Sequence, residues 1–141
     1  MLVGMRPNRS SVTDIHTHLV FVTKYRRPAF TNSVLTRCEQ IMREVCAGSR
    51  VELVEFNGEA DHVHLLVRVP AAIALSNLVH HLKGRSSRLL RQQFSGHLRR
   101  YLWGGHLWGG HLWSPSYYAG SVGGAPITVL RQYIESQGRP K

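Results

Sequence analysis

The sequence predicts a small α+β sandwich in which helices cover an antiparallel sheet. Three observations carry this expectation. Residues 62–69 alternate apolar and polar side chains with the period of a strand, and residues 32–47 and 75–94 place apolar side chains at helical spacing. The order along the chain, strand, helix, strand, strand, helix, is that of a layered α+β domain. At 141 residues the chain is expected to form one domain over 1–141, burying roughly two-thirds of its unfolded surface.

The first strand is expected over about Ile15–Lys24. A helix over about Asn32–Ala47 follows, with Val34, Leu35, Cys38, Ile41, Met42 and Val45 on one face and Gly48 at its end. Strands near Val51–Phe56 and His62–Val69 come next. In the second, Val63, Leu65, Val67 and Val69 form one apolar row, while His62, His64, Leu66 and Arg68 form the other. A helix over about Leu75–Phe94 buries Leu75, Leu78, Val79, Leu82, Leu89 and Leu90 and presents Lys83, Arg88 and Arg91 elsewhere. After a loop-rich stretch, Ala125–Gln137 reads as a short amphipathic helix opened by Pro126, with Ile127, Leu130 and Ile134 as its core stripe. Gly123-Gly124 just before it suits a hinge, although a plain turn is the commoner use of such a pair.

Composition narrows the class of partner. Lys plus Arg number 18 against 8 Asp plus Glu, a formal charge of +10, and most of the cations are arginines. Such an excess favours phosphate contacts and salt-sensitive binding, and arginine adds bidentate bonding and stacking on unpaired bases. The arginines cluster at 26–27, 85–91 and 99–100, and Arg26, Arg27, Lys83, Arg85, Arg88 and Arg91 are the candidate nucleic-acid contacts. Residues 1–10 carry Arg6, Pro7, Asn8 and Arg9 with no long apolar run, so neither a signal peptide nor a membrane span is expected. Cys38 and Cys46 lie too far apart on one helix to bridge, and both are expected to be reduced core residues of a cytoplasmic protein.

Two residue pairs carry candidate chemistry. His62 and His64 must point to one face of their strand, and neutral imidazoles so placed can hold a metal; paired strand histidines also serve as hydrogen-bonded surface residues. Tyr133 and Gln137 are four residues apart, which sets a phenol and a carboxamide about 5–6 Å from each other on one side of a helix. The phenol there is either an attacking group or a tyrosine packed with its hydroxyl in water. Nothing in the spacing itself makes the strand and the helix meet.

Taken together and in order, several segments resemble the single-tyrosine HUH transposases (TnpA type) of the smallest bacterial insertion sequences. They are Val22–Phe30, Asp61-His-Val-His-Leu-Leu66, Leu82-Lys-Gly-Arg-Ser-Ser-Arg88, Leu112–Tyr118, Gly123-Gly124 and Gln132-Tyr-Ile-Glu-Ser-Gln137. The resemblance covers most of the chain. It implies a ferredoxin-like fold, His62 and His64 as metal ligands with Gln137 as a third, and Tyr133 as the nucleophile. It also implies a homodimer acting on hairpins in single-stranded DNA, in which one subunit's tyrosine helix can complete the other's histidine site.

The residue types suit that chemistry. A tyrosine that cuts a DNA strand conserves the bond energy in a phosphotyrosine, so no ATP is needed. A phenol with a pKa of about 10 needs a cation and a dry site to ionise near neutrality. Two imidazoles and an amide oxygen would accept magnesium or manganese and leave positions open for phosphate, unlike a closed zinc site. Asp61 stands where it can orient a ligand histidine, or be solvated. The reaction expected is transposition by cleavage and rejoining of single strands. Two alternatives remain, a chromosomal relative that processes repeated palindromes and a non-catalytic hairpin-binding descendant.

One feature departs from the family pattern. Gly104-Gly-His-Leu-Trp108 is repeated at once as Gly109-Gly-His-Leu-Trp113, where similar proteins usually carry the unit once. The extra five residues lengthen a loop at low entropic cost, offer Trp103, Trp108 and Trp113 as stacking platforms beside His106 and His111, or misplace the tyrosine helix.

Overall fold

Residues 15–102, 111–121 and 127–138 are described by a computed structural model. Strands β1 (Ile15–Val22), β2 (Glu52–Glu59), β3 (His62–Val69) and β4 (Tyr118–Ser121) form a sheet in the order β2-β3-β1-β4, with every neighbouring pair antiparallel. Helices α1 (Asn32–Gly48) and α2 (Leu75–Gln93) connect β1 to β2 and β3 to β4, and α3 (Ser95–Leu102) and α4 (Ile127–Ser136) complete the α-helices of the described residues, beside a single 3-10 turn at Lys24–Arg26. This βαββαβ order with an antiparallel sheet is the ferredoxin-like arrangement expected from the sequence.

Alternation in β3 decides which face becomes the core. Val63, Leu65 and Val67 are fully buried and Val69 nearly so, whereas His64 and Leu66 are half-buried and Arg68 is exposed. His62 departs from the pattern by being buried, at 8% exposure. The apolar row packs against the stripe Val34, Cys38, Ile41, Met42 and Val45 of α1 and against Leu78, Val79, Leu82 and Leu90 of α2. Both thiols are free and buried; burial pushes Cys38 up to about 12 and Cys46, against the opposing charge of Arg43, up to about 11. β1 lies between two strands, and its segment Leu19–Val22 is buried on both faces.

Several boundaries differ from the sequence reading, for physical reasons. Helix α1 ends at Gly48, as expected, but the left-handed residue after it is Arg50 at φ 60°. Its turn is closed by the N–H of Val51 donating to the carbonyl of Cys46 at 2.9 Å, which also buries Val51. Strand β2 continues to Glu59 because Asn57 and Gly58 pair with His64 and Val63, although neither has strand propensity. A β-carbon at Gly58 would come within 2.5 Å of Leu35 Cδ2, so any side chain here would have to push the tip of Leu35 aside. Ser95–Leu102, within the stretch expected to be loop-rich, forms helix α3; Leu98 anchors it in the core, and His97 Nε2 bonds the carbonyl of Ala29 at 2.8 Å. β4 was missed because a four-residue edge strand containing glycine has almost no pattern to read.

The second copy of the repeated pentapeptide is structural. Leu112 is fully buried, and Trp113 stacks edge-on against Phe21 and Phe30 while donating its indole N–H to Ser86 Oγ at 3.0 Å. Trp113 is therefore a core residue and not a platform for bases, contrary to one expectation above. Trp103 just before the first copy, His106 and Trp108 within it, the Gly123-Gly124 pair and Pro126 lie outside the described residues. Among the described residues, no helix is long and apolar enough to cross a membrane.

The asymmetry of β3 yields a test. Leu65→Ala should destabilise the fold by about 2–5 kcal/mol, the usual cost of an unfilled core cavity. Leu66→Ala, on the half-buried face, should cost well under half of that. Urea unfolding followed by circular dichroism compares the two.

Candidate active site

The open face of the sheet carries His62 and His64, and Tyr133 and Gln137 of α4 approach it through Tyr118 and Ser114. His62 and His64 emerge side by side from β3, their ring centroids 4.9 Å apart, and His18 of β1 stands 5.9 Å from His64 on the same face. The register explains the grouping, because His18 pairs with Leu66 and Val20 pairs with His64. Burial, together with the neighbouring rings of His62 and His18, holds the His64 imidazole below its ordinary pKa, while Glu59 opposes this. At neutral pH His64 is a neutral ring with a free lone pair, the form that binds a cation.

A carboxylate orients His62. Asp61 Oδ1 lies 2.8 Å from His62 Nδ1, and since a carboxylate only accepts, Nδ1 carries a proton, which leaves Nε2 as the nitrogen that can present a lone pair. The second oxygen, Oδ2, accepts from Arg26 Nε at 2.9 Å. Burial would raise the Asp61 carboxyl, but its hydrogen bonds to His62 and Arg26 and their positive charge bring it below the ordinary carboxylate range. Arg26 is aimed there by a strained turn in which Tyr25 and Arg26 both have left-handed φ, 60° and 55°. Thr23 braces the turn: its Oγ1 donates to the carbonyl of Arg27 at 2.8 Å, and its N–H donates to the carbonyl of Asp61 at 2.9 Å.

Tyr133 and Gln137 sit at the end of α4, both half-buried. The helix stops at Ser136, one residue short of the expected end, and Gln137 closes a tighter turn through its N–H to the carbonyl of Ile134 at 3.2 Å. Of the expected core stripe, Ile134 is half-buried; the side chains of Ile127 and Leu130 lie outside the described ones. Two serines of the segment leading into β4 hold the pair. Ser114 Oγ donates to Gln137 Oε1, Ser116 Oγ lies 3.0 Å from the Tyr133 hydroxyl, and a longer contact of 3.4 Å links Ser116 to Gln137 Oε1. Both serines lie in the Leu112–Tyr118 segment that carries the resemblance, but sequence reasoning gave them no role, since hydroxyls in a loop carry no periodic signal. Burial raises the Tyr133 phenol above its ordinary pKa, with the Ser116 bond pulling the other way.

Two routes join the strand site to the helix site. Ser114 donates its N–H to the carbonyl of Val22 at 2.7 Å, and Val22 pairs on its other side with His62. His62 and Ser114 are thus separated by two strand spacings, about 10 Å of backbone, with side chains on one face. On the second route, a β-carbon at Gly138 would lie 3.1 Å from Arg26 Cδ, so the residue after Gln137 rests against the arginine that holds Asp61 and, through it, His62.

The donor set fits a hard or borderline divalent cation. Nε2 of His62 and a neutral His64 supply nitrogen, and Gln137 Oε1 supplies an oxygen with two lone pairs, of which the weaker Ser116 contact is the easier to give up. Among the described residues, no group of three or more His, Cys, Asp and Glu side chains is placed to hold a metal. The basic candidates are dispersed. Arg26 is ion-paired, Arg27 donates to the carbonyl of Tyr101 at 3.2 Å, and Arg91 bonds Ser87. Arg85 and Arg88 line a groove with His80 and His81. Lys83 turns onto three backbone carbonyls of residues 114–116.

The Asp61 bridge yields a second test. Asp61→Asn should cost about 1–3 kcal/mol of stability in metal-free buffer, since it leaves the Arg26 guanidinium without its charged acceptor. Gly138→Val, which crowds the same arginine, should lower stability in the same direction. Chemical unfolding in the presence of a chelator measures both.

Comparison with known proteins gives the family and the fold. Residues 11–137 match the family described as "Transposase IS200 like". The chain is 31% identical over 133 residues to the ISDra2 transposase TnpA of Deinococcus radiodurans, covering 94% of this chain and 91% of that one. It is 38% identical over 77 residues to the transposase for insertion sequence element IS200 of Salmonella typhimurium, an overlap of 55% of this chain and 51% of that relative. In structure it is similar to a candidate transposase from Deinococcus radiodurans R1, with a TM-score of 0.80 and 32% identity over 96% of this chain and all of that one. A REP-associated tyrosine transposase bound to a REP hairpin shares the fold at a TM-score of 0.55 and 11% identity, over 93% of this chain and 68% of the other. With a family match over nearly its whole length, on a four-stranded sheet of the same fold, the chain belongs to the IS200-like transposases.

Proposed function

We propose that this transposase is a metal-dependent strand transferase. In this reading it recognises hairpins in single-stranded DNA near the ends of a mobile element, cuts with Tyr133 and rejoins the strands during excision and insertion. The observation that supports the reading best is the sharing of one sheet face by the His62–His64 pair and the Tyr133–Gln137 pair, linked through Ser114 and Val22. The +10 charge suits a polyanionic substrate, and the protein acts in the cytoplasm as a homodimer.

In the cleavage step the Tyr133 oxygen bonds to phosphorus while the bond from phosphorus to the 3′ oxygen breaks. The DNA is left with a 5′-phosphotyrosine and a free 3′ hydroxyl. The proton lost by the phenol and the proton gained by the 3′ oxygen exchange with water, so the step is neutral overall and reversible. Burial makes the Tyr133 phenol a weaker acid than free tyrosine, so it needs help to ionise. Ser116 supplies part of that help, because a hydroxyl donating to the phenolate favours the charged form. Magnesium or manganese held by His62, His64 and Gln137 would neutralise charge on the scissile phosphate and orient it for attack. Asp61 keeps Nε2 of His62 free for that role, and Arg26 keeps Asp61 in place.

The rivals differ in biology or in chemistry. A chromosomal relative that processes repeated palindromes would use the same residues, and dispersed palindromes in place of one flanking pair would identify it. The binding-only descendant would keep hairpin affinity without cleavage.

The test mixes the protein with single-stranded DNA from both flanks of its gene and magnesium or manganese. A DNA adduct surviving denaturing electrophoresis is expected, lost in Tyr133→Phe, reduced at least tenfold by chelator or by His64→Ala, with hairpin affinity of Tyr133→Phe within about twofold of the parent. Tight hairpin binding with no adduct from the parent protein would refute the catalytic reading.

A further inference from the structure

Lys83 lies on α2, on the opposite side of the sheet edge from Tyr133. Its ammonium donates to the carbonyl of Ser114 at 2.7 Å, to that of Ser116 at 3.1 Å and to that of Pro115 at 3.4 Å. An ammonium has three protons, and three successive carbonyls meet them here. The same nitrogen stands 5.9 Å from the ring centroids of Phe21 and Tyr117, so aromatic faces complete its surroundings. The segment 114–116 is therefore gripped from both layers. Its carbonyls face Lys83 on the helical side, and its hydroxyls face Tyr133 and Gln137 on the open side.

We propose that Lys83 is a positioning residue for the strand-transfer reaction, setting Tyr133 and Gln137 through the backbone of Ser114, Pro115 and Ser116. The inference rests on the reading of Tyr133 as nucleophile and Gln137 as ligand. It departs from the expectation, drawn from charge alone, that Lys83 contacts phosphate. The grip is selective for a compact cation. Three carbonyls within one tripeptide match the tetrahedral ammonium, whereas the flat guanidinium of arginine cannot reach all three from the same helical position. Without the cation, the part-buried Ser114 carbonyl would lose its partner while the exposed carbonyls of Pro115 and Ser116 would turn to water, and the segment would shift, taking both serine hydroxyls with it.

A groove of about 490 Å³ opens beside Lys83, lined by His80, Arg91, His111 and Tyr117, so DNA has physical access to this lysine. The experiment must therefore separate positioning from phosphate contact. Lys83→Met keeps the apolar stem and removes the cation; Lys83→Arg keeps the charge and changes its shape. Positioning predicts that both variants slow adduct formation roughly ten- to hundredfold, the scale of a small misplacement of reacting groups. Hairpin affinity and its salt dependence should stay those of the parent. Phosphate contact predicts the opposite: Lys83→Met would weaken hairpin binding and lower the salt slope by about one, and Lys83→Arg would restore both. That result overturns the proposal.

Two further measurements keep the proposal testable if Lys83→Met folds poorly or the parent forms no adduct. In metal-free, DNA-free protein, the ζ-carbon resonance of Tyr133, assigned with Tyr133→Phe, should move in Lys83→Arg and Lys83→Met as the Ser116 partner shifts. An unmoved resonance in a folded variant overturns the inference whatever the activity. In a double-mutant cycle, Lys83→Arg and Ser116→Ala should together slow the adduct no more than the larger single change, because both act through one segment; multiplied effects would contradict it. A parent without adduct refutes the proposed function, while the resonance still decides the role of Lys83.

Discussion

One backbone hydrogen bond sets the geometry on which the site depends. The N–H of Ser114 reaches the carbonyl of Val22 at 2.7 Å, at the end of the central strand whose other edge pairs Val22 with His62. Pairing in this register sends Trp113 inward, to Phe21, Phe30 and Ser86, and Ser114 outward, to Gln137. A slip by one residue would exchange those faces, exposing an indole and burying a hydroxyl without its partner. The large apolar burial of Trp113 and Leu112 thus secures the placement of a small polar group on the opposite side. Core packing and site geometry are two faces of one strand pairing.

Charge plays a more local part than the net +10 suggests. Arg26 is spent on Asp61, and Lys83 on three carbonyls, where burial pushes its ammonium down to about 8. The turn that aims Arg26 contains two consecutive left-handed residues with side chains, a conformation that costs about 1–2 kcal/mol per residue. Thr23 offsets that cost with bonds to both sides of the turn, and its own backbone is tied to β3 through Asp61 and to the segment before β4 through the Thr23–Trp113 bridge. The strain accordingly persists where it holds a carboxylate against His62, and Gly138 leaves just enough room for the arginine stem to pass.

Much of the fold was legible because periodicity reports burial. The alternation of β3 from His62 to Val69 and the helical stripe of α1 from Val34 to Val45 are direct images of the core they pack against. The ends of elements were harder, since Arg50 takes the left-handed position that Gly48 seemed made for, and α3 and β4 are too short to show a period. At the site, adjacency of His62 and His64, and of Tyr133 and Gln137, followed from strand and helix geometry. Their presence on one face did not, because it depends on a pairing between residues more than ninety positions apart, Val22 and Ser114, and on two serines whose roles leave no mark in the sequence. Lysine in an arginine-rich run reads as one more phosphate contact until the three carbonyls around Lys83 are seen.

The central claim is that the histidine strand and the tyrosine helix form a single cation site. The most direct measurement is a titration of the DNA-free protein with manganese, followed by nuclear magnetic resonance line broadening at assigned side chains. Joint broadening of the His62 and His64 rings, the Gln137 carboxamide and the Tyr133 ring, at low occupancy and before other residues, is the result this account requires. Broadening confined to His62, His64 and their neighbours on β3, with Gln137 and Tyr133 untouched, would contradict it.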